Sequence, residues 1–255
     1  MVDWLNIVLA GLLGVSIGSF INVVADRLPR GQSLVSPPSH CPVCDTKLKL
    51  FDLIPLLSYL GLRGKCRYCS AGIPFRIFAV ELATGLLFVF IGYRFGFGYQ
   101  GIAMMGFASL FTAVFLIDLE HQIIPNKIVF PAIAVSIVVM SFWPGFGFVQ
   151  ALIGAGAGFG LLLLLYIIPG VVIGEGDVKF AAVVGAATGF PVVLISLGLA
   201  FVLGGAVASV LLVTGKSGRK QKIAFGPFIV AAAMVSLIWG QSIVDWYVQT
   251  FWLWQ

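Results

Sequence analysis

The chain runs again and again through long stretches with few or no charged side chains, each close to the ~20 residues a helix needs to cross the hydrocarbon core of a bilayer. On that ruler eight spans are expected, at 4–24, 77–93, 101–117, 127–143, 149–168, 178–190, 192–214 and 225–248, the sixth of them short. Composition agrees: 60% of residues are apolar and 10% charged, where a soluble domain carries about a quarter charged residues. The expected fold is therefore an all-α polytopic membrane protein. Its one polar insert, roughly 25–76, separates the first span, 1–24, from a bundle formed by 77–255.

The basic residues orient such a chain. Eight fall in the insert: Arg27, Arg30, Lys47, Lys49, Arg63, Lys65, Arg67 and Arg76. Lys127, Lys179, Lys216, Arg219, Lys220 and Lys222 lie at the ends of alternate loops, and Arg94 alone falls on the other side. Positive charge is retained in the cytoplasm during insertion, so the N-terminus is expected outside and the insert inside. The net charge of +5 thus reports membrane orientation, and no nucleic-acid partner is expected. The first apolar run follows Asp3 and precedes Arg27 and Arg30, the reverse of a cleaved signal sequence. No internal repeat or separate soluble catalytic domain is evident. Gly154, Gly156, Gly158 and Gly160 give the fifth span two adjoining small-residue faces for close helix packing. Trp246, Trp252 and Trp254 suit an interfacial anchor.

All four cysteines lie in the insert, as CPVC at 41–44 and CRYC at 66–69. Two residues between cysteines place both sulfurs on one side of a tight knuckle, and two knuckles make a closed tetrahedral zinc site of Cys41, Cys44, Cys66 and Cys69. Lys65 and Arg67 favour thiolates. The competing reading is two disulfides, which a reducing cytoplasm disfavours. Four cysteines leave no open coordination position, so the metal is structural. His40 is read as a bystander.

Two acidic stretches stand out. GEGDVK at 174–179 is a polar break between apolar runs, and LIDLEHQIIPN at 116–126 follows the third span. Two crossings separate them, so Asp118 and Asp177 return to the same face of the membrane. Two carboxylates that share a site hold one proton between them. One then takes a proton from water while the other polarises a carbonyl. Gly174 and Gly176 permit a close approach by a peptide. The N-terminal end of the helix after Asp177 would keep that residue ionised and make it the base. The alternative is that each aspartate only caps or ends a helix. His121 reads as a loop histidine.

In order along the chain, GSFINVVADRLPRG at 18–31, the cysteine pairs, SYLGLRGKCRYC at 58–69, IDLEHQIIPN at 117–126, GEGDVK at 174–179 and AFGPF at 224–228 form a specific set. The chain in this respect resembles the prepilin peptidases, bifunctional leader peptidase/N-methyltransferases of type IV pilus and type II secretion systems. The resemblance implies a GxGD-type aspartyl protease of the bacterial inner membrane. Asp118 and Asp177 would be the catalytic pair, with Gly174, Gly176 and Glu120 in the loops that receive substrate. It further implies cleavage of a basic leader after a glycine, at the cytoplasmic face, from prepilin or pseudopilin substrates. The new N-terminal amine is then methylated with S-adenosylmethionine. Zinc is implied in the cysteine insert, and membrane lipids as the surroundings. Ala224, Asp26 and Asn126 depart from the family's usual residues. Glu81, within the second span, is a candidate for the methyl-transfer chemistry; an ion pair with Arg76 or a snorkelling carboxylate is its structural alternative.

Two other functions are consistent with parts of this pattern. A proton- or cation-coupled transporter would use the acidic pair near mid-membrane. A zinc scaffold would recruit partners through the insert and dispense with both aspartates.

Overall fold

The computed structural model describes residues 4–170, 173–214 and 224–251. The described residues are helical, with no β-strand beyond two isolated bridges. Each of the eight expected spans corresponds to one helix: α1 (Trp4–Arg27), α3 (Phe75–Phe95), α4 (Tyr99–His121), α5 (Asn126–Ser141), α6 (Gly147–Ile167), α7 (Glu175–Thr188), α8 (Val192–Val213) and α9 (Gly226–Phe251). The insert adds a 3-10 turn, Leu50–Leu53, and a short helix α2, Leu57–Gly61. Six of the helices, all but α2, α5 and α7, are long and apolar enough to cross a membrane, and α5 is a shorter apolar helix. The protein is thus an all-α polytopic membrane protein. Lys216, Arg219, Lys220, Lys222, Trp252, Trp254 and Asp3 lie outside the described residues.

Helix ends fall where backbone chemistry demands. Pro74 precedes α3 and Gly96, at φ 67°, ends it. Gly189, at φ 72°, ends α7. Pro227 occupies the first turn of α9, where a missing N–H costs nothing. The third span runs further than hydropathy suggests. Asp118, Leu119, Glu120 and His121 continue α4, because nothing breaks the helix before Gln122 at φ 53°. Both candidate aspartates therefore stand on helices, where boundary loops were expected.

The chain forms two compact units, Met1–Ala113 and Val114–Gln255. In the first, α1 lies against α3. A Cβ on Gly14 would come within 2.7 Å of Phe88 Cβ, and one on Gly18 within 2.8 Å of Glu81 Cα. Small residues let the two backbones approach, as membrane helix pairs require.

In the second unit α7 is the core element. All of its residues from Phe180 to Thr188 are buried, enclosed by α5, α6, α8 and α9. Fourteen residues give about 21 Å of helix at 1.5 Å per residue, less than a bilayer core. A helix wrapped in protein need not match the lipid thickness, because its neighbours supply the apolar surroundings. Its close partner is α6, and only one of the two glycine faces is used. A Cβ on Gly154 would run into the Gly185 carbonyl, and one on Gly158 into that of Ala181. Gly156 and Gly160 face open space. Gly154→Leu should therefore destabilise the second unit by about 3 kcal/mol or more, the upper range for overpacking. Gly156→Leu should be nearly silent. Thermal unfolding of both variants in detergent distinguishes the faces.

Candidate active site and metal centre

Asp118 is in the last turn of α4 and Asp177 in the first turn of α7. Both are buried, at 4% and 7% exposure. The connection after α4 meets the first turn of α7 directly: a Cβ on Gly176 would lie 3.0 Å from Ile124 Cβ. Lys179 fastens the same ends together. Its ammonium donates to Asn126 Oδ1 at 3.2 Å, pairs with Glu175 and lies over the Phe130 ring. The parity of crossings brings these two residues to one end of the unit.

Each carboxylate is held in the same manner. Gly226 N–H donates to Asp118 Oδ2 at 2.9 Å, and Gly174 N–H to Asp177 Oδ2 at 3.1 Å. Each donor is a glycine whose missing side chain matters. A Cβ on Gly226 would sit 2.6 Å from Asp118 Oδ2, and one on Gly174 2.8 Å from Asp177 Oδ2. Both carboxylates also lie at a helix N-terminus, α7 for Asp177 and α9 for Asp118, where the partial positive charge favours an anion. The helix-end argument for Asp177 as the base thus applies equally to Asp118. Asp177 does cap its own helix, as its alternative reading supposed. Asp118 does more than end α4: it binds the start of a helix 108 positions away.

The other expected site residues take different places. Gly174 and Glu120 are exposed. Gly176 is filled against by Ile124, so its small size serves the junction of the two acidic segments. His121 ends α4, one turn beyond Asp118, with Nε2 enclosed and no protein partner among the described residues. Of the departures, Asn126 accepts from Lys179, and Asp26 takes two hydrogen bonds from Arg76 Nη2 at 2.9 and 3.1 Å.

Gly226 is the residue that sequence reasoning passed over. AFGPF marks a helix start, but nothing local says which acid that start will face. Gly226→Ala should push the Asp118 carboxylate aside. A misplacement of about 1 Å costs on the order of 100-fold in rate, so cleavage should fall by that order with the helix content unchanged in circular dichroism.

In the insert the two C-x-x-C segments fold as matching knuckles. Cys41 N–H bonds Thr46 O and Asp45 N–H bonds Cys41 O; Cys66 N–H bonds Ala71 O and Ser70 N–H bonds Cys66 O. Asp45 and Ser70 adopt the same left-handed backbone, at φ 54° and 60°. The bridges His40–Lys47 and Lys65–Gly72 close both turns. All four sulfurs lie within 4.8 Å of one another. Cys41 Sγ and Cys69 Sγ are 3.8 Å apart, about the edge of a tetrahedron with ~2.3 Å zinc–sulfur bonds. Disulfide sulfurs would stand at about 2.05 Å, and all four cysteines are free.

The thiols behave as a set that calls for a cation. Hydrogen bonds from the Thr46 side chain and backbone bring Cys44 down to about 6. Backbone bonds from Cys69 and Tyr68 lower Cys66. Cys69 keeps a backbone bond from Ala71 that draws it down, yet burial and the neighbouring sulfurs push it up to about 12. Four thiolates at this spacing need a divalent ion, and zinc fits the donor set. His40 turns away, with Nδ1 on Pro38 O at 3.0 Å. Asp52 ties the second knuckle to the 3-10 turn by accepting from Arg67 Nε at 2.6 Å, Tyr68 Oη at 3.0 Å and Lys49 N–H at 3.1 Å.

Glu81 is buried at 4% exposure, and its Oε2 accepts Leu56 N–H at 2.8 Å. Arg76 pairs with Asp26, at 2.9 Å. Leu56 has φ 60° and ψ −50°, a strained conformation costing about 1–3 kcal/mol. Glu81 therefore holds a strained turn of the insert onto α3.

Residues 12–95 match the Bacterial Peptidase A24 N-terminal domain, and residues 105–209 match the Type IV leader peptidase family. The chain is 34% identical to a prepilin leader peptidase/N-methyltransferase of Stutzerimonas stutzeri, covering 93% of this chain and 92% of that protein. Proteins of the same description from Bacillus subtilis (strain 168) and Pseudomonas aeruginosa are each 32% identical, covering 93% of this chain and 96% and 92% of theirs. No solved structure matches the chain. Shared residues at this level, along more than nine-tenths of both partners, place the protein in the type IV leader peptidase family.

Proposed function

We propose that the protein is a prepilin leader peptidase and N-methyltransferase with Asp118 and Asp177 as its catalytic pair. The reading rests above all on the two buried carboxylates, which different helices bring to one end of the second unit, each held by a glycine N–H. The bond from each glycine occupies one oxygen, Oδ2, and orients the carboxylate. A water between the aspartates gives a proton to the ionised one and attacks the scissile carbonyl. The protonated partner donates to the carbonyl oxygen. As the C–N bond of the gem-diol breaks, one aspartic acid gives its proton to the leaving amine nitrogen while a gem-diol hydroxyl gives its proton to the other aspartate, so the pair is again singly protonated.

The substrates are type IV prepilins or pseudopilins, whose apolar helix lies in the lipid while the leader junction enters the site. The site faces the cytoplasm, in keeping with the basic residues of the insert and with Arg94 in the last turn of α3, at its other end. Zinc held by Cys41, Cys44, Cys66 and Cys69 would keep the insert folded. S-adenosylmethionine supplies the methyl group that caps the new N-terminal amine. Glu81, whose oxygen is engaged with Leu56, acts by positioning the insert.

A transporter finds no support in the relatives, and both aspartates are in terminal turns and not in mid-helix. The test is incubation of the purified protein with a prepilin, with and without S-adenosylmethionine, followed by intact-mass measurement. Loss of the leader in both reactions, and a gain of one methyl group only with the donor, is the expected result. An unprocessed prepilin would overturn the protease reading, and an unmethylated product the second activity.

A further inference from the structure

We infer that residues 50–60 of the insert form an interfacial membrane anchor, seated in the headgroup region of an anionic bilayer beside α3. The first observation is depth. Leu56 N–H bonds Glu81, and the Tyr59 ring packs on Phe78 at 5.2 Å between centroids. Position 56 thus pairs with 81 and 59 with 78, so α2 runs antiparallel along the first turns of α3. The Asp26–Arg76 ion pair marks the polar edge of the α1–α3 pair. Glu81 is five positions beyond Arg76, and at 1.5 Å per residue the start of α2 reaches about 7.5 Å past that edge. Interfacial helices seat their apolar faces about 5–10 Å into the headgroup boundary.

The second observation is the outward face. Leu56 and Tyr59 turn toward α3, leaving Leu57 and Leu60, three positions apart, on the other side. They are 67% and 60% exposed, and Leu50 and Phe51 just before them are 84% and 74% exposed. A helix on a water-facing domain would present polar residues there. Contiguous apolar exposure of this kind marks a contact surface.

Charge selects the occupant. Lys47 and Lys49 precede the segment and Arg63 and Lys65 follow it, all exposed. The single acidic residue between Thr46 and Pro74 is Asp52. Its side chain is 4% exposed beneath Arg67, and Tyr68 also bonds it. An apolar face flanked by four exposed cations, whose own carboxylate Asp52 is covered, fits anionic phospholipid, with the exposed Asp45 lying outside the segment on the first knuckle. The surface is continuous with the lipid-facing side of the helix pair, where Phe75 at the start of α3 is 67% exposed. Glu81 has a clear part in this arrangement: it satisfies a backbone N–H that would otherwise be carried unpaired toward the apolar layer.

The test uses full-length, zinc-loaded protein in vesicles of phosphatidylethanolamine and phosphatidylglycerol. Trifluoromethyl-phenylalanine is introduced singly at Phe51 and Leu57, at Leu86 as a lipid-exposed control on α3, and at Val35 as a water-exposed control. Fluorine relaxation is then measured with a lipid-borne nitroxide and with a water-soluble gadolinium chelate. The labels at 51 and 57 should relax several-fold faster with the nitroxide than with gadolinium, as at 86, and the label at 35 should show the reverse. Gadolinium sensitivity at 51 and 57 matching position 35 would overturn the inference. So would protection from both probes, which would mean that protein covers the face.

Discussion

Asp118→Asn and Asp177→Asn should each leave a prepilin uncleaved while the protein still inserts and unfolds at its usual temperature. Asparagine keeps the oxygen that accepts the N–H of Gly226 or of Gly174. It also ranks with aspartate as a helix cap, so a merely structural role predicts near-normal enzymes. Loss of a proton-transfer group, by contrast, costs about 10²–10⁴-fold. The double variant should be no slower than the poorer single one, because the pair acts as a unit. The measurement is single-turnover cleavage by intact mass, alongside thermal unfolding. Wild-type processing by either single variant would remove that residue from the mechanism. Alanine at 177 is a useful companion, since it should lose cleavage and also about 1 kcal/mol of helix capping.

The second large effect concerns the insert. Cys66→Ser should abolish stoichiometric zinc binding and open residues 28–74 to protease, leaving the spanning helices intact. The insert has no buried apolar side chains apart from Cys41 and Cys66 themselves, so little besides the metal is available to hold the two knuckles together. Structural zinc contributes about 10–16 kcal/mol in small domains, far more than the surface ion pair of Asp52 and Arg67 can replace. Elemental analysis and limited proteolysis before and after chelation make the comparison. A chelated protein whose insert resists protease as well as the zinc-loaded form would refute the staple. Asp52→Ala should have a milder effect, loosening the second knuckle without removing the ligands.

The two predictions draw on parts of the chain that differ in how they could be read. The cysteine knuckles were legible because their geometry is local: two residues between sulfurs set each turn, and the left-handed Asp45 and Ser70 complete it. The spans were legible because apolar length is a property of a contiguous run. The glycines of α6 were half legible. Their spacing announced two close-packing faces, but only the opposing Gly185 and Ala181 carbonyls decided that Gly154 and Gly158 would be used.

By itself the sequence determined the eight long apolar helices, though not the short α2 of the insert, together with the four-sulfur cluster and the return of Asp118 and Asp177 to one end of the second unit, since run lengths, short spacings and crossing parity need no knowledge of packing. Tertiary structure alone decided that α4 would carry Asp118 in its last turn against the N–H of Gly226. It also decided that α7 would be walled in by protein, and that Leu56 would be drawn down to Glu81. Each of these is a contact between residues far apart in the chain, and its partner is chosen by which helices pack closely enough to meet.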